Sequence, residues 1–229
     1  MTDQFRHTDS RVLFTGTVDS EERVEKHSAT EEQIFDAALV VFSRKGKDGA
    51  RMQEIAEQAG INKALLHYYF RSKERLYQAV FSHVFGQFMT ALRAPLQADL
   101  PFPDMLKAFI DEFISVHAAH PEISRLWILE NLSGAPVLGP VLQRFLKENP
   151  DSAPRKFISR VAHGVEAGEI RDVNPFHTFV TLLGASIFLF LSYPTMSVVN
   201  PELVGNRDST IEDRKKHVFD ILYHGLAKP

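Results

Sequence analysis

The sequence predicts an all-α fold, and three observations support that prediction. Apolar residues recur at helical spacing along most of the 229 residues, and glycines and prolines separate the resulting segments. No stretch alternates apolar and polar residues for long enough to indicate a strand. An apolar content of 44% suffices for a buried core, and the length fits one large domain or two small ones.

Composition narrows the classes of function. The chain has no cysteine, which excludes disulfide scaffolds, thiolate zinc sites, iron–sulfur clusters and cysteine nucleophiles. The first 24 residues lack the apolar core of a secretory signal, so we expect a cytoplasmic protein. The net charge of -3 gives no global attraction for nucleic acid, and only residues 26–77 carry more basic than acidic side chains. Such a basic segment is often no more than a solvated face.

Four helices are predicted in the first part of the chain. Two overlapping capping boxes, Ser28 with Glu31 and Thr30 with Gln33, predict the start of the first helix. That helix should close near Gly46, after a flexible tail over residues 1–27. Short helices fit residues 52–59 and 62–69, and a longer helix fits residues 72–92. Further helices, several with proline in the first turn, should follow Pro101.

The spacing between Met52 and Tyr69 is typical of a helix-turn-helix. Such a unit needs a small residue where its two helices cross, a left-handed turn, and a second helix with one buried face. Ala56 is small, Gly60 adopts the turn without a steric penalty, and Asn62 can cap the next helix. The apolar positions that would face inwards are Ile55, Ala59, Ile61, Leu66 and Tyr69. Similar helix pairs also occur in all-α domains that do not bind DNA.

The most distinctive run of the sequence is "MQEIAEQAGINKALLHYYFRSKERLYQAV", which begins at Met52 and ends at Val80. Most clearly through this run, residues 28–77 resemble the N-terminal domain of the TetR family of transcriptional regulators. The resemblance implies a three-helix DNA-binding head over residues 28–77 and a helical ligand-binding and dimerisation domain over residues 78–229. It also implies repression that a small molecule relieves or alters. The chain departs from the family pattern where Ala50 and Arg51 replace a capping hydroxyl residue, and where Ala64 and His67 replace a common glycine and tyrosine.

The resemblance assigns two kinds of DNA contact. Side chains at the starts of the second and fourth helices should hold phosphates without reading sequence, namely Arg51, Gln53 and Lys73. The outer face of the third helix should meet base edges in the major groove, through Asn62, Lys63, Ala64, Leu65, His67 and Tyr68. For Tyr68, partial burial at the end of a short helix is the alternative.

One small head buries too little surface for tight recognition, so we expect a homodimer on a palindromic double-stranded operator. The uncharged residues 176–193 and the segment 211–226 could form its four-helix interface. In the second segment, Ile211, Val218, Ile221, Leu222 and Leu226 would lie near one face. Residues 176–193 also approach the length of a membrane span. Small polar residues lower the hydrophobicity of this segment, so we predict no membrane association.

The remaining residues, 80–171, should contain the effector site. Aromatic residues recur there at helical spacing and could wall a pocket for a largely apolar small molecule, although each also suits an ordinary core. The candidate effector-binding residues are Phe88, Phe109, Phe113, His117, Trp127, Phe157 and His163. His117 and His120 with Glu122 are too few for a convincing metal site, so we predict neither metal nor cofactor.

A different class of function is an enzyme, or an all-α carrier of lipids or small molecules with an incidental helix-turn-helix. The sequence has no nucleophile elbow, phosphate-binding loop, dinucleotide fingerprint or zinc-protease signature. Glu166 and Glu169 near His163 provide no activated base. The basic head would give an enzyme or carrier no advantage, so we predict a DNA-binding regulator that is not an enzyme.

Overall fold

The computed structural model describes residues 17–97, 100–202 and 206–228, and within these ranges every regular element is helical, which confirms the all-α prediction. The helices are α1 (Thr17–Gly49), α2 (Met52–Gln58), α3 (Lys63–Tyr69), α4 (Lys73–Ala91), α5 (Ala94–Gln97), α6 (Phe102–Ala119), α7 (Pro121–Leu132), α8 (Leu138–Glu148), α9 (Ala153–Glu166), α10 (Pro175–Leu191), α11 (Tyr193–Val199) and α12 (Arg207–Leu226).

The first helix begins earlier than its capping boxes predict. α1 starts at Thr17, so residues 17–27 are helical where the sequence suggested a flexible tail; residues 1–16 lie outside the described residues. The chain has no glycine or proline between Thr17 and Lys45, so nothing forces the helix to start at Ser28 or Thr30. Its interruption at Gly46 was predicted, and there the backbone has φ 66° and ψ 174°.

The head is a small bundle of α1, α2 and α3 closed by the start of α4. α1 packs against both α2 and α4, and α2 packs against α3. Ile34, Phe42, Ile55, Leu66 and Leu76 are fully buried between them. Because these side chains come from all four helices, the head forms a single core.

The rest of the chain is a larger bundle around α6 and α10. α6 packs against α12 and α10, and α10 also contacts α7 and α9. Phe109, Ile110, Phe157 and Leu182 are completely buried at these contacts. α4 runs without a break from the head into this bundle, and α1 packs on α7, so the two parts meet along two helices.

None of the helices within the described ranges has by itself the length and hydropathy of a membrane span. α10 and α11 reach that threshold only when taken together, and the chain bends by 74° between them.

Candidate DNA interface and effector region

The turn between α2 and α3 has the geometry that its residues predict. Gly60 takes φ 67°, a left-handed value that a side chain would disfavour. The Ile61 amide donates to the Ala56 carbonyl over 3.0 Å, which closes the end of α2. Asn62 caps α3, since its Oδ1 accepts from the Leu65 amide at 2.8 Å. The turn therefore fixes the direction in which α3 leaves α2.

α3 presents one buried and one exposed face. Leu66 is fully buried in the head core, and Leu65 is half-buried. The exposed side chains of α3 are Lys63, Ala64, His67 and Tyr68, with the cap Asn62 beside them. Tyr68 is 66% exposed, so the alternative of partial burial is wrong for this residue. Five of the six predicted base-contacting residues thus lie on one open surface.

The three predicted phosphate-binding residues differ in their surroundings. Arg51 is exposed and precedes α2 without a side-chain cap, and Gln53 is exposed with its Nε2 donating to Glu57 Oε1 over 2.8 Å. The ammonium of Lys73 donates to the carbonyls of Asp48 and Ala50, both at 3.1 Å. An ammonium has three donors, so one remains for a phosphate. Lys73 consequently joins α4 to the end of α1, a contact that the sequence did not indicate.

The predicted effector residues fall into a buried group and two outliers. Phe88, Phe113 and His117 lie in mutual contact, with ring centroids 4.5 to 5.5 Å apart. The ring centroid of Phe109 lies 6.5 Å from that of Phe113 and 4.8 Å from that of Phe157. Trp127 packs instead on Phe85, with ring centroids 6.5 Å apart. His163 is exposed on α9, and its role in effector binding stays a prediction.

His117 is a buried imidazole in an aromatic environment. It is 2% exposed, and its Nδ1 lies 3.0 Å from the Phe113 carbonyl. Burial lowers the pKa of His117 to about 4, although the backbone hydrogen bond acts in the opposite direction. The side chain is therefore neutral at pH 7. His120 is exposed at the end of α6, and among the described residues no three metal-ligating side chains are grouped as a metal ion requires.

The aromatic interior is nearly closed. A cavity between α4 and α7, lined by Phe81, Phe85, Phe88 and Trp127 among others, measures only about 20 Å³. That volume is enough for about one water molecule and far below a typical small-molecule site of about 300 Å³ or more. An effector that enters here must separate α4 from α7.

A buried carboxyl connects the head with the larger bundle. Glu130, on α7, is 4% exposed; its Oε1 accepts from the Tyr77 hydroxyl at 2.9 Å. Its Oε2 accepts from the amides of Val137 and Leu138, both at 2.9 Å, at the start of α8. Burial, together with the hydrogen bond from its own hydroxyl to Glu130, raises the pKa of Tyr77. The phenol thus remains a donor, and α4, α7 and α8 meet at one carboxyl.

The segments predicted to form a dimer interface are partly exposed. On α10, Phe176 and Phe188 are each 58% exposed. On α12, Ile221 is 60% exposed, whereas Val218 and Leu226 are buried. The four-residue spacing of Val218, Leu222 and Leu226 places these side chains towards the bundle, and the place of Ile221 at a dimer interface stays a prediction.

The helix-turn-helix geometry and the open face of α3 define a DNA-binding regulator class, and the comparisons with known proteins identify the family. The model of bacterial regulatory proteins of the tetR family matches residues 34–80, and the model of the YcdC-like protein C-terminal region matches residues 82–187. The chain belongs to the TetR family of transcriptional regulators.

Relatives support this assignment. The chain is 35% identical over 150 residues to the HTH-type transcriptional regulator RutR of Escherichia coli (strain K12), covering 66% of this chain and 68% of RutR. It is 33% identical over 181 residues to the HTH-type transcriptional repressor SCO4008 of Streptomyces coelicolor, covering 79% of this chain and 86% of that protein. These relatives are transcriptional regulators.

Solved structures share the fold. FadR from Bacillus subtilis, solved in complex with stearoyl-CoA, aligns with a TM-score of 0.62 at 20% identity, over 83% of this chain and 96% of FadR. KstR2 of Mycobacterium tuberculosis, a ketosteroid transcriptional regulator, aligns with a TM-score of 0.66 at 16% identity, over 87% of this chain and 95% of KstR2.

Proposed function

We propose that this chain is a repressor that binds a palindromic operator as a homodimer and releases it when a small molecule binds the larger bundle. One observation carries the DNA-binding part. α3 is anchored by the buried Leu66 and capped by Asn62, while its outer side chains stay open to solvent. A helix held in this way can enter the major groove without rearranging.

The proposed base contacts follow from the chemistry of the exposed face. Lys63 can donate to guanine acceptors, and Ala64 can touch a thymine methyl. Leu65, which is half-buried, can do the same with the exposed part of its side chain. His67 and Tyr68 can reach a base edge or a phosphate. Arg51, Gln53 and the free donor of Lys73 are proposed as phosphate contacts.

The domain division and assembly are part of the same proposal. Residues 28–77 form the DNA-binding head and residues 78–229 the effector and dimerisation domain. The exposed apolar side chains of α10 and α12, including Phe176, Phe188 and Ile221, would be buried against the partner's equivalent helices. A regulator of chromosomal DNA acts in the compartment that holds the DNA, so the proposal places it in the cytoplasm.

Coupling between effector and operator needs a mechanical link. A ligand that separates or shifts α7 would act on Glu130, which is hydrogen-bonded to Tyr77 of α4. Tyr77 in turn packs edge-on against Phe42 of α1, with ring centroids 4.8 Å apart. A displacement of α7 would therefore tilt α4 and change the spacing of the two heads, provided that the ligand binds the two arrangements with different affinity.

Selection of bound sequences from a random duplex pool tests the proposal. The expected result is a palindromic consensus whose half-sites are about one helical turn apart or a multiple of it. A pool that stays random, with and without small-molecule extracts, would contradict sequence-specific binding. It would favour the alternative of an all-α binding protein or enzyme with an incidental helix-turn-helix.

Lys63→Ala is expected to weaken binding to the selected operator by about tenfold or more, because a lysine contact to guanine is lost. Binding to random DNA should fall much less. Fluorescence anisotropy with labelled duplexes measures both affinities at one salt concentration. Lys147→Ala is the matched control, since Lys147 is exposed on α8 outside the head. An equal loss of affinity for both duplexes would show that Lys63 does not contact a base.

Lys73→Ala is expected to have two effects. Operator and random duplexes should both bind less tightly, and the slope of log affinity against log salt should flatten by about one unit. Loss of the hydrogen bonds to Asp48 and Ala50 should also lower the free energy of unfolding by about 1 kcal/mol. Salt titrations and urea unfolding separate the effects; destabilisation with an unchanged salt slope would assign Lys73 a structural role alone.

A further inference from the structure

A groove on the surface of the larger bundle lies between the first turns of two helices. It measures about 330 Å³ and is bounded by α7, the end of α10, α11 and the start of α12. Its apolar wall includes Ile128, Phe190 and Ile211, and its polar residues include Arg125 and Arg207. The volume is at the lower end of the range for small-molecule sites and is more than ten times that of the small cavity between α4 and α7.

The two arginines place positive charge at this groove, and the first turns of α7 and α12 also carry the carboxylates Glu122 and Asp208. Among the described residues, no carboxylate lies within salt-bridge distance of Arg125 or Arg207. One Arg207 nitrogen donates to the Ala118 carbonyl at 2.7 Å, which holds the guanidinium at the end of α6. Its remaining donors stay available, and a fixed planar fork suits a carboxylate or phosphate.

The backbone adds partial positive charge at the same groove. Pro121 and Arg207 are the first residues of α7 and α12, and both line the groove. Neither helix has a side-chain hydrogen bond at its N-cap. The N-terminal ends of two helices, which carry the positive ends of the helix dipoles, therefore border the groove.

Buried hydroxyl groups without partners lie on the same helical faces. Ser124 is 1% exposed and Ser186 is 0% exposed, and the hydroxyl of neither has a hydrogen-bond partner among the described residues. Ser124 shares the stripe of α7 that carries Pro121 and Ile128, and Ser186 precedes Phe190 by one turn. Phe190 also faces His117, at a centroid distance of 6.1 Å. Each hydroxyl thus lies on the side of a helix that also carries a groove residue.

We propose that this groove is an effector site for a small amphipathic anion, a carboxylate or phosphate on an apolar body. Arg125 and Arg207 would bind the anionic group, and Ile128, Phe190 and Ile211 would cover the apolar part. The proposal that an anion binds here depends on the groove alone. The proposal that this binding changes the affinity for DNA rests on the proposed function. The route to the head is α7, which carries both Arg125 and Glu130.

Calorimetric titration with octanoate and its neutral counterpart octanamide tests the binding site. The two ligands have the same apolar body, so the arginines should give octanoate at least about a tenfold advantage. Acetate, which lacks the body, should bind more weakly than octanoate. Equal affinity for octanoate and octanamide would overturn the inference.

Variants locate the site. Arg125→Gln should remove most of the preference for octanoate, and because Arg125 is exposed the fold should tolerate the change. Ile128→Asp should abolish octanoate binding by placing a carboxylate beside the arginines. Arg144→Gln is the control, since Arg144 is exposed on α8 and pairs with Glu148 at 2.8 Å. A preference that persists in both Arg125→Gln and an Arg125→Gln/Arg207→Gln double variant would contradict the assignment.

The effect on DNA is measured separately with the selected operator. Octanoate should change the operator affinity of the wild-type chain and leave that of Arg125→Gln unchanged. Arginine-dependent binding with a constant operator affinity would overturn the effector role. Absence of octanoate binding, in a protein that still selects a palindromic operator, would overturn this inference and leave the proposed function intact.

Discussion

Glu130→Ala is expected to lower the free energy of unfolding by about 3 to 5 kcal/mol. The substitution leaves three buried donors without an acceptor: the Tyr77 hydroxyl and the amides of Val137 and Leu138. It also removes a buried side chain and leaves a cavity where α4, α7 and α8 meet. A water molecule that replaced the carboxyl at this buried site would have to be ordered between the three donors.

Urea unfolding at a fixed protein concentration measures this loss, since the stability of the proposed dimer would depend on concentration. Tyr77→Phe keeps the ring and leaves only one oxygen of Glu130 without its donor, so it should cost about 1 to 3 kcal/mol, less than Glu130→Ala. Glu148→Ala is the surface control, because its pairing with Arg144 is exposed and should change stability by less than about 1 kcal/mol. A loss in Glu130→Ala no larger than in Glu148→Ala would show that the carboxyl does not hold the three helices together.

The Glu130 contact also bears on regulation. Tyr77 and Glu130 are 53 residues apart in sequence, and their hydrogen bond joins the linker helix α4 to α7. In Tyr77→Phe, which should remain folded, the operator affinity without effector should be retained while the effector response becomes smaller. A smaller effector response would indicate that Tyr77 transmits a displacement, whereas an unchanged response would indicate that it only stabilises the fold.

Local chemistry made the head predictable. The left-handed Gly60, the cap Asn62 and the cap Ser72 each act within three residues along the chain, so the sequence alone indicated the turns and the starts of α3 and α4. The inward and outward faces of α3 followed from helical periodicity, and Leu66 is buried as predicted.

Contacts between distant segments were not predictable in the same way. The carbonyls that hold Lys73 lie 23 and 25 residues before it, and no local pattern pairs them. His117 and His163 both sit on helices rich in apolar residues, yet only packing buries the first and exposes the second. The first turns of α7 and α12 line one groove only because of the tertiary fold, so the groove with its two arginines left no signal in either segment.

Acidification is expected to destabilise the protein through His117 by about 3 kcal/mol between pH 7 and pH 4. Burial lowers the pKa of His117 from 6.5 in the unfolded chain to about 4 in the fold. Between these two values the unfolded state binds one more proton than the folded state, so stability rises with pH across this window. The contribution is complete above about pH 6.5 and is lost as the pH falls towards 4.

Comparison with His117→Gln isolates this contribution from the carboxylates that titrate in the same range. Glutamine cannot take up the proton. Between pH 4.5 and 6 the unfolding free energy of His117→Gln should therefore change less steeply with pH than that of the wild type. The slopes should differ by about 1.4 kcal/mol per pH unit, which corresponds to one proton. His163→Gln, a histidine substitution on the exposed face of α9, is the surface control. Parallel slopes for the wild type and His117→Gln would mean that solvent reaches His117, and the aromatic cluster around it would then be open enough to admit a ligand.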